Sequence, residues 1–188
     1  FSTAFHEHPC RFPVIGLRPL FEKVDRKMLV DYYGTRYYPG NMVVSVAGDF
    51  DREQLIETLG TTFGTAQSRC HQPVNIPSEP KQLALREMRL TGDYQTARGL
   101  MGYRIPSMRH EDSPALDIIG AILGAGYSGR LRQKLREELQ LVHGVSASAW
   151  NPRDPGLFFV QFQSTPENAE KAESTIAGLL EDLAHSGF

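Results

Sequence analysis

The sequence predicts an α+β fold, with strands packed against helices. Three observations predict it. Several short stretches are apolar or alternate apolar with polar residues, as strands do, and they lie next to Gly- and Pro-bearing turns. Longer stretches repeat their apolar residues at helical spacing and begin at capping residues. The two kinds come as strand pairs and helix pairs, which suits sheets covered on one face by helices.

The elements follow in order. Residues 1–18 contain Pro9, Pro13 and Gly16, and read as an extended loop. KVDRKMLVDYYGTRY, 23–37, has apolar residues at helical spacing behind the cap signal of Asp25. Tyr38-Pro39-Gly40-Asn41 reads as a turn. MVVSVAGDF, 42–50, begins as a nearly continuous apolar run, the pattern of a buried strand. Asp51 then caps the helix REQLIETLGTTF, 52–63. The first third therefore reads helix, strand, helix.

Residues 65–79 are rich in Pro and poor in large apolar side chains, and read as a linker. LALREMRL, 83–90, and TARGLMGYRIP, 96–106, read as two strands around Thr91-Gly92-Asp93. SPALDIIGAILGAG, 113–126, and the charged SGRLRQKLREELQ, 128–140, read as two helices. VHGVSASAW, 142–150, and LFFVQFQS, 157–164, read as strands joined by the turn at 151–156. Thr165 and Pro166 open a last helix that runs to about residue 185. No internal repeat or low-complexity tract interrupts this order.

Composition narrows the function classes. The 188 residues are 40% hydrophobic and 22% charged, with 20 basic and 22 acidic side chains and a net charge of −2. No basic excess points to nucleic acid, and no apolar run approaches the ~18 residues of a membrane span. Two cysteines, Cys10 and Cys70, make no disulfide framework and read as thiols. The chain lacks an initiator Met, and a fragment or a processed product is expected.

Three patterns invite a chemical reading. FHEHPC places His6, Glu7, His8 and Cys10 together, all residue types that bind zinc. The two histidines are two apart, where a helical zinc motif needs four, and Pro9 follows directly, so an ordinary loop is expected. An independent metal module using His6, His8 and Cys10 stays open as a minor alternative. Gly124-Ala125-Gly126-Tyr127-Ser128-Gly129 matches the dinucleotide-binding glycine pattern. Its glycines follow a helix rather than a strand, so they are expected to let two helices meet at a tight corner. Nucleophilic catalysis has no supporting motif. In the third, a charged helix carrying Arg136 runs straight into a strand that begins near His143. An Arg and a His at such a corner could hold the backbone carbonyls of a peptide. The simpler reading is a solvated helix face.

Several stretches together resemble one family. His8-Pro9 with Pro13-Val14-Ile15-Gly16, the run Tyr37-Tyr38-Pro39-Gly40-Asn41-Met42 with Val46-Ala47-Gly48-Asp49, the corner Leu123-Gly124-Ala125-Gly126 with Ser128-Gly129-Arg130-Leu131, and Leu135-Arg136-Glu137-Glu138 resemble the insulinase/pitrilysin-type zinc peptidases. That family includes the mitochondrial processing peptidases and many bacterial zinc proteases. The resemblance implies a fold of homologous α/β units. It also implies zinc held by His-x-x-Glu-His and a later Glu, all upstream of the His-Pro loop. This sequence contains no such motif.

On this resemblance, residues 1–64 are the tail of a first unit, 65–79 a linker, and 80–188 a second unit of the inactive type, lacking its final elements. The expected function is the non-catalytic, substrate-enclosing part of a zinc endopeptidase, with no metal and no catalytic residue in this chain. The resemblance assigns substrate binding to Arg136 and, in the place of the family's Tyr, His143. It assigns the structural corner to Gly124, Gly126 and Arg130. Gly129, where the family prefers Ser, is a milder departure. Implied partners are a peptide or unfolded polypeptide, an upstream catalytic domain or homologous subunit, and a second copy as a homodimer. The alternative is a scaffold subunit of a heteromeric peptidase whose parent has no zinc motif. The compartment is left between bacterial periplasm and cytoplasm, leaning to the periplasm.

Overall fold

The structure is a computed structural model that describes residues 1–64, 74–154 and 156–187. Cys70, His71 and most of the expected linker lie outside the described residues. The chain divides into two compact units, Phe1–Pro80 and Lys81–Phe188.

In the first unit, a short helix α1 (Arg18–Phe21) precedes α2 (Arg26–Arg36) and α3 (Arg52–Phe63). Both longer helices start where the sequence places their caps. The Asp25 carboxylate accepts the Met28 N–H at 2.7 Å, and Asp51 accepts the Gln54 N–H at 2.9 Å. Such a cap contributes about 1 kcal/mol by satisfying a donor the first helical turn leaves open. Phe5, His8 and Tyr38 are buried.

The strand expected at 42–50 does not form. Val43, Val44 and Val46 are exposed, and no strand pairs with the segment among the described residues. An apolar run becomes a strand only where a neighbouring chain segment satisfies its N–H and C=O groups.

The second unit contains a three-stranded antiparallel sheet, β1 (Ala97–Ile105), β2 (Gly144–Trp150) and β3 (Gly156–Ser164), in the order β1-β3-β2. Tyr103 pairs with Phe158 on one side of β3, and Ala149 pairs with Phe158 on the other. The sequence places these three strands correctly. The expected strand at 83–90 is absent for the same reason as that at 42–50: it has no ladder among the described residues, and Leu83, Leu85 and Leu90 stand in solvent. No hairpin therefore forms around Thr91-Gly92-Asp93.

Helices α4 (Ser113–Gly124) and α6 (Ala169–Ser186) help bury one face of the sheet. The core joins Phe158, Val160 and Phe162 of the central strand to Leu123, Leu131, Leu135, Ala172 and Ile176. In α6 the residues Ala172, Ile176, Leu179, Leu180 and Leu183 recur at helical spacing and form the stripe that packs on this core. Each fully buried aliphatic side chain contributes about 1.5–3 kcal/mol. The Phe162 ring lies directly against Gly99 of β1, where a larger residue would collide with it. The other face of the sheet carries Arg98, Leu100, Ser146, Gln161 and Gln163 around an open hollow of about 500 Å³.

Candidate functional site

The corner between α4 and β2 carries the residues singled out by the sequence. Gly124 ends α4, and its Cα lies close against the Ala147 backbone of β2. Gly126 has φ +61°, the left-handed region that a residue with a Cβ enters at a cost. Gly129 is buried, and a Cβ there would meet the Leu123 carbonyl oxygen at 3.0 Å, which accounts for a glycine at this position. Arg130 begins the one-turn helix α5 (Arg130–Arg132) and is exposed.

The charged helix expected at 128–140 is not a uniform α-helix. After α5 the chain widens into a π-helix, Gln133–Glu138. The Leu139 N–H donates to the Lys134 carbonyl at 3.0 Å, five residues back instead of four. Such wide turns are rare and are frequent at functional sites. Leu131 and Leu135 are fully buried and fix the inner side of the turn. Gln140 then takes φ +52°, the one non-glycine residue with positive φ among those described. A left-handed residue costs roughly 1–2 kcal/mol. Here it lets the Leu141 N–H reach back to the Leu135 carbonyl at 2.8 Å and close the corner.

Arg136 and His143 stand on the two limbs of this closed corner. Arg136 follows Leu135, the acceptor of the closing bond, and His143 lies two residues beyond Leu141, its donor. The His143 N–H is tied to the Gln163 carbonyl at 2.7 Å, which anchors the start of β2 to the central strand. Both side chains are exposed, and neither makes a side-chain hydrogen bond or ion pair among the described residues. Arg136 offers five N–H donors and His143 a donor or acceptor nitrogen, a set that can bind backbone carbonyls.

Sequence reading missed a clamp beside them. The Arg132 guanidinium stacks over the Tyr127 ring, 4.3 Å from its centroid, and its Nε lies 3.3 Å from the Glu137 carboxylate. That Nε is shielded from solvent and lacks hydrogen-bond geometry, so the contact with Glu137 is electrostatic. Gln133 Nε2 donates to the Tyr127 carbonyl at 2.9 Å. The signal available in the sequence was the five-residue spacing of Arg132 and Glu137, which a regular helix does not pair.

The FHEHPC loop has a structural use. The Glu79 carboxylate accepts the N–H groups of His6 (2.8 Å), Glu7 (2.8 Å) and His8 (2.9 Å). His8 is buried, and its Nδ1 accepts the Cys10 N–H at 3.2 Å, capping the short turn Pro9–Arg11. Among the described residues no three His, Cys, Asp or Glu side chains gather as a metal would require. With Glu79 turned to the backbone and His8 turned to its own turn, this loop does not fit the independent metal module of His6, His8 and Cys10.

The comparisons with known proteins agree with this architecture. A profile for the peptidase M16 inactive domain matches residues 23–188.

The chain belongs to the M16 peptidase inactive-domain family.

The M16 assignment extends to individual relatives. The chain is 30% identical over its whole length to an uncharacterized zinc protease of Mycobacterium tuberculosis, covering 43% of that protein. It resembles the crystal structure of a protease from Helicobacter pylori at TM-score 0.86 and 26% identity, over 97% of this chain and 45% of the other. It also shares the fold of a peptidase M16 inactive domain from Pseudomonas fluorescens, with TM-score 0.83 at 18% identity, over 98% of this chain and 44% of that one. The chain thus spans less than half the length of the curated relatives it matches. No helix among the described residues is long and apolar enough to cross a membrane.

Proposed function

We propose that this M16 chain is the non-catalytic, substrate-enclosing part of a zinc-dependent endopeptidase whose zinc ligands lie outside it. The observation that carries the reading is the closed corner that presents Arg136 and His143 to solvent, with neither side chain bonded to another described group. An extended peptide offers carbonyl oxygens that nothing else satisfies. Arg136 donates charge-assisted hydrogen bonds to them, and a ring N–H of His143 donates one more. The partners of this arrangement are an unfolded polypeptide and a catalytic domain or homologous subunit that supplies the zinc chemistry.

The full chain is expected to bind fluorescein-labelled casein, a polypeptide without stable structure, and to leave it uncleaved. Arg136→Ala weakens that binding on the order of tenfold, the value of a hydrogen bond to a charged group. Stoichiometric zinc together with casein cleavage by this chain alone overturns the proposal, as does unchanged binding in Arg136→Ala.

His143, where the family resemblance implies a Tyr, favours a second reading: a scaffold subunit whose parent has no zinc motif and pairs with an active relative. Purification from the native source separates the two. A His-x-x-Glu-His motif in the same polypeptide supports the first reading, and the motif in a co-purifying partner supports the second.

A further inference from the structure

We infer that Arg132 is a positioning residue: with Tyr127 and Glu137 it holds the π-turn in its wide register and so fixes the direction of Arg136. The inference rests on Arg136 being the peptide contact proposed above.

Arg132 and Glu137 are five residues apart. On an α-helix five residues amount to about 500° of rotation, which puts the two side chains on different faces. Ion pairs along an α-helix therefore form at three or four residues. In a π-turn the repeat lengthens to match the i→i+5 hydrogen bond. The 3.3 Å contact between Arg132 and Glu137 and the Leu139 N–H to Lys134 carbonyl bond are two signs of one register.

The α register of the same sequence is penalised. It would place Arg132 and Arg136, four residues apart, on one face as like charges. It would also separate Glu137 from Arg132 and leave the guanidinium with the Tyr127 ring alone. The clamp thus favours the wide turn from both sides. Tyr127 is itself held, because Gln133 Nε2 bonds its carbonyl at 2.9 Å while Arg132 covers its ring. By contrast, the Lys134–Glu138 pair spans four residues and fits an ordinary helix, so it does not select the register. Tightening the turn to the α repeat would change the rotation of every residue through Gln133–Glu138, Arg136 included. Arg136 would then leave its place on the corner relative to His143.

The test uses the full chain and two readouts. Through-hydrogen-bond NMR coupling identifies the acceptor of the Leu139 amide: Lys134 in the π register, Leu135 in the α register. Binding of fluorescein-labelled casein reports the grip. Arg132→Met keeps the aliphatic stem and removes the charge, Glu137→Gln removes the other pole, and Arg132→Lys restores a cation within reach of both partners. The Met and Gln variants are expected to move the coupling to Leu135 and to lose as much casein affinity as Arg136→Ala does. Arg132→Lys is expected to keep the Lys134 coupling and the affinity. Coupling that stays on Lys134 in both the Met and the Gln variants overturns the inference. So does a shifted register with undiminished binding, when Arg136→Ala itself weakens binding. If Arg136→Ala changes nothing, the proposed peptide contact fails, and the coupling alone still decides whether the clamp holds the turn.

Discussion

Gly124, the last residue of α4, lies so close to the Ala147 backbone of β2 that a Cβ there would sit 2.6 Å from the Ala147 carbonyl oxygen. Neither backbone can yield, since Ala147 is in the sheet and pairs with Val160. Gly124→Ala is therefore expected to destabilise the second unit by about 1–3 kcal/mol, as overpacking does. A lowered urea midpoint with an unchanged slope would show it.

Gly178 gives the opposite sign. It lies inside α6, and nothing stands within 4 Å of a Cβ built on it. Gly178→Ala removes backbone entropy from the unfolded chain and supplies a better helix former. It is expected to stabilise by about 0.5–1 kcal/mol in the same titration.

The clasp at Glu79 predicts a local effect. Glu79→Ala takes away the acceptor shared by the His6, Glu7 and His8 amides. Hydrogen exchange at these amides should accelerate by on the order of tenfold or more. The Gln54 amide, held by Asp51, serves as the control and should not change.

Alkaline pH should tell on Tyr103. Burial raises its phenol above the ordinary value of about 10, and the Glu181 carboxylate adds to the shift. Between the unfolded and the raised folded value the folded state binds more protons, so stability falls as pH rises through that window. Tyr103→Phe should flatten the decline that sets in as pH rises above about 10, measured by urea titration at each pH. Because Tyr103 is 44% exposed, the decline is expected to be shallow.

The sequence was most legible where local signals agree with the packed result. Asp25 and Asp51 cap the helices they were expected to cap. The alternation in 97–105, 144–150 and 156–164 marks three strands that do pair. The strand-like stretches at 42–50 and 83–90 misled, because apolar residues record a tendency to be covered and not the presence of a cover. Glu79 reads as a linker residue by composition, yet its carboxylate ties down the loop around His8, since a contact 71 residues away in sequence leaves no periodic trace.

The sequence by itself determined the α+β class, the family resemblance and the motif that joins Arg136 to His143 along the chain. Only the tertiary structure decided what that motif is: a wide π-turn closed by Leu141 on Leu135, paid in part by a left-handed Gln140. The physical reason is that helical spacing reports the average period of a segment. One extra residue in a turn is set by which side chains are buried at Leu131 and Leu135 and by which charges meet across five positions. Those choices are made by packing, after local propensity has been satisfied.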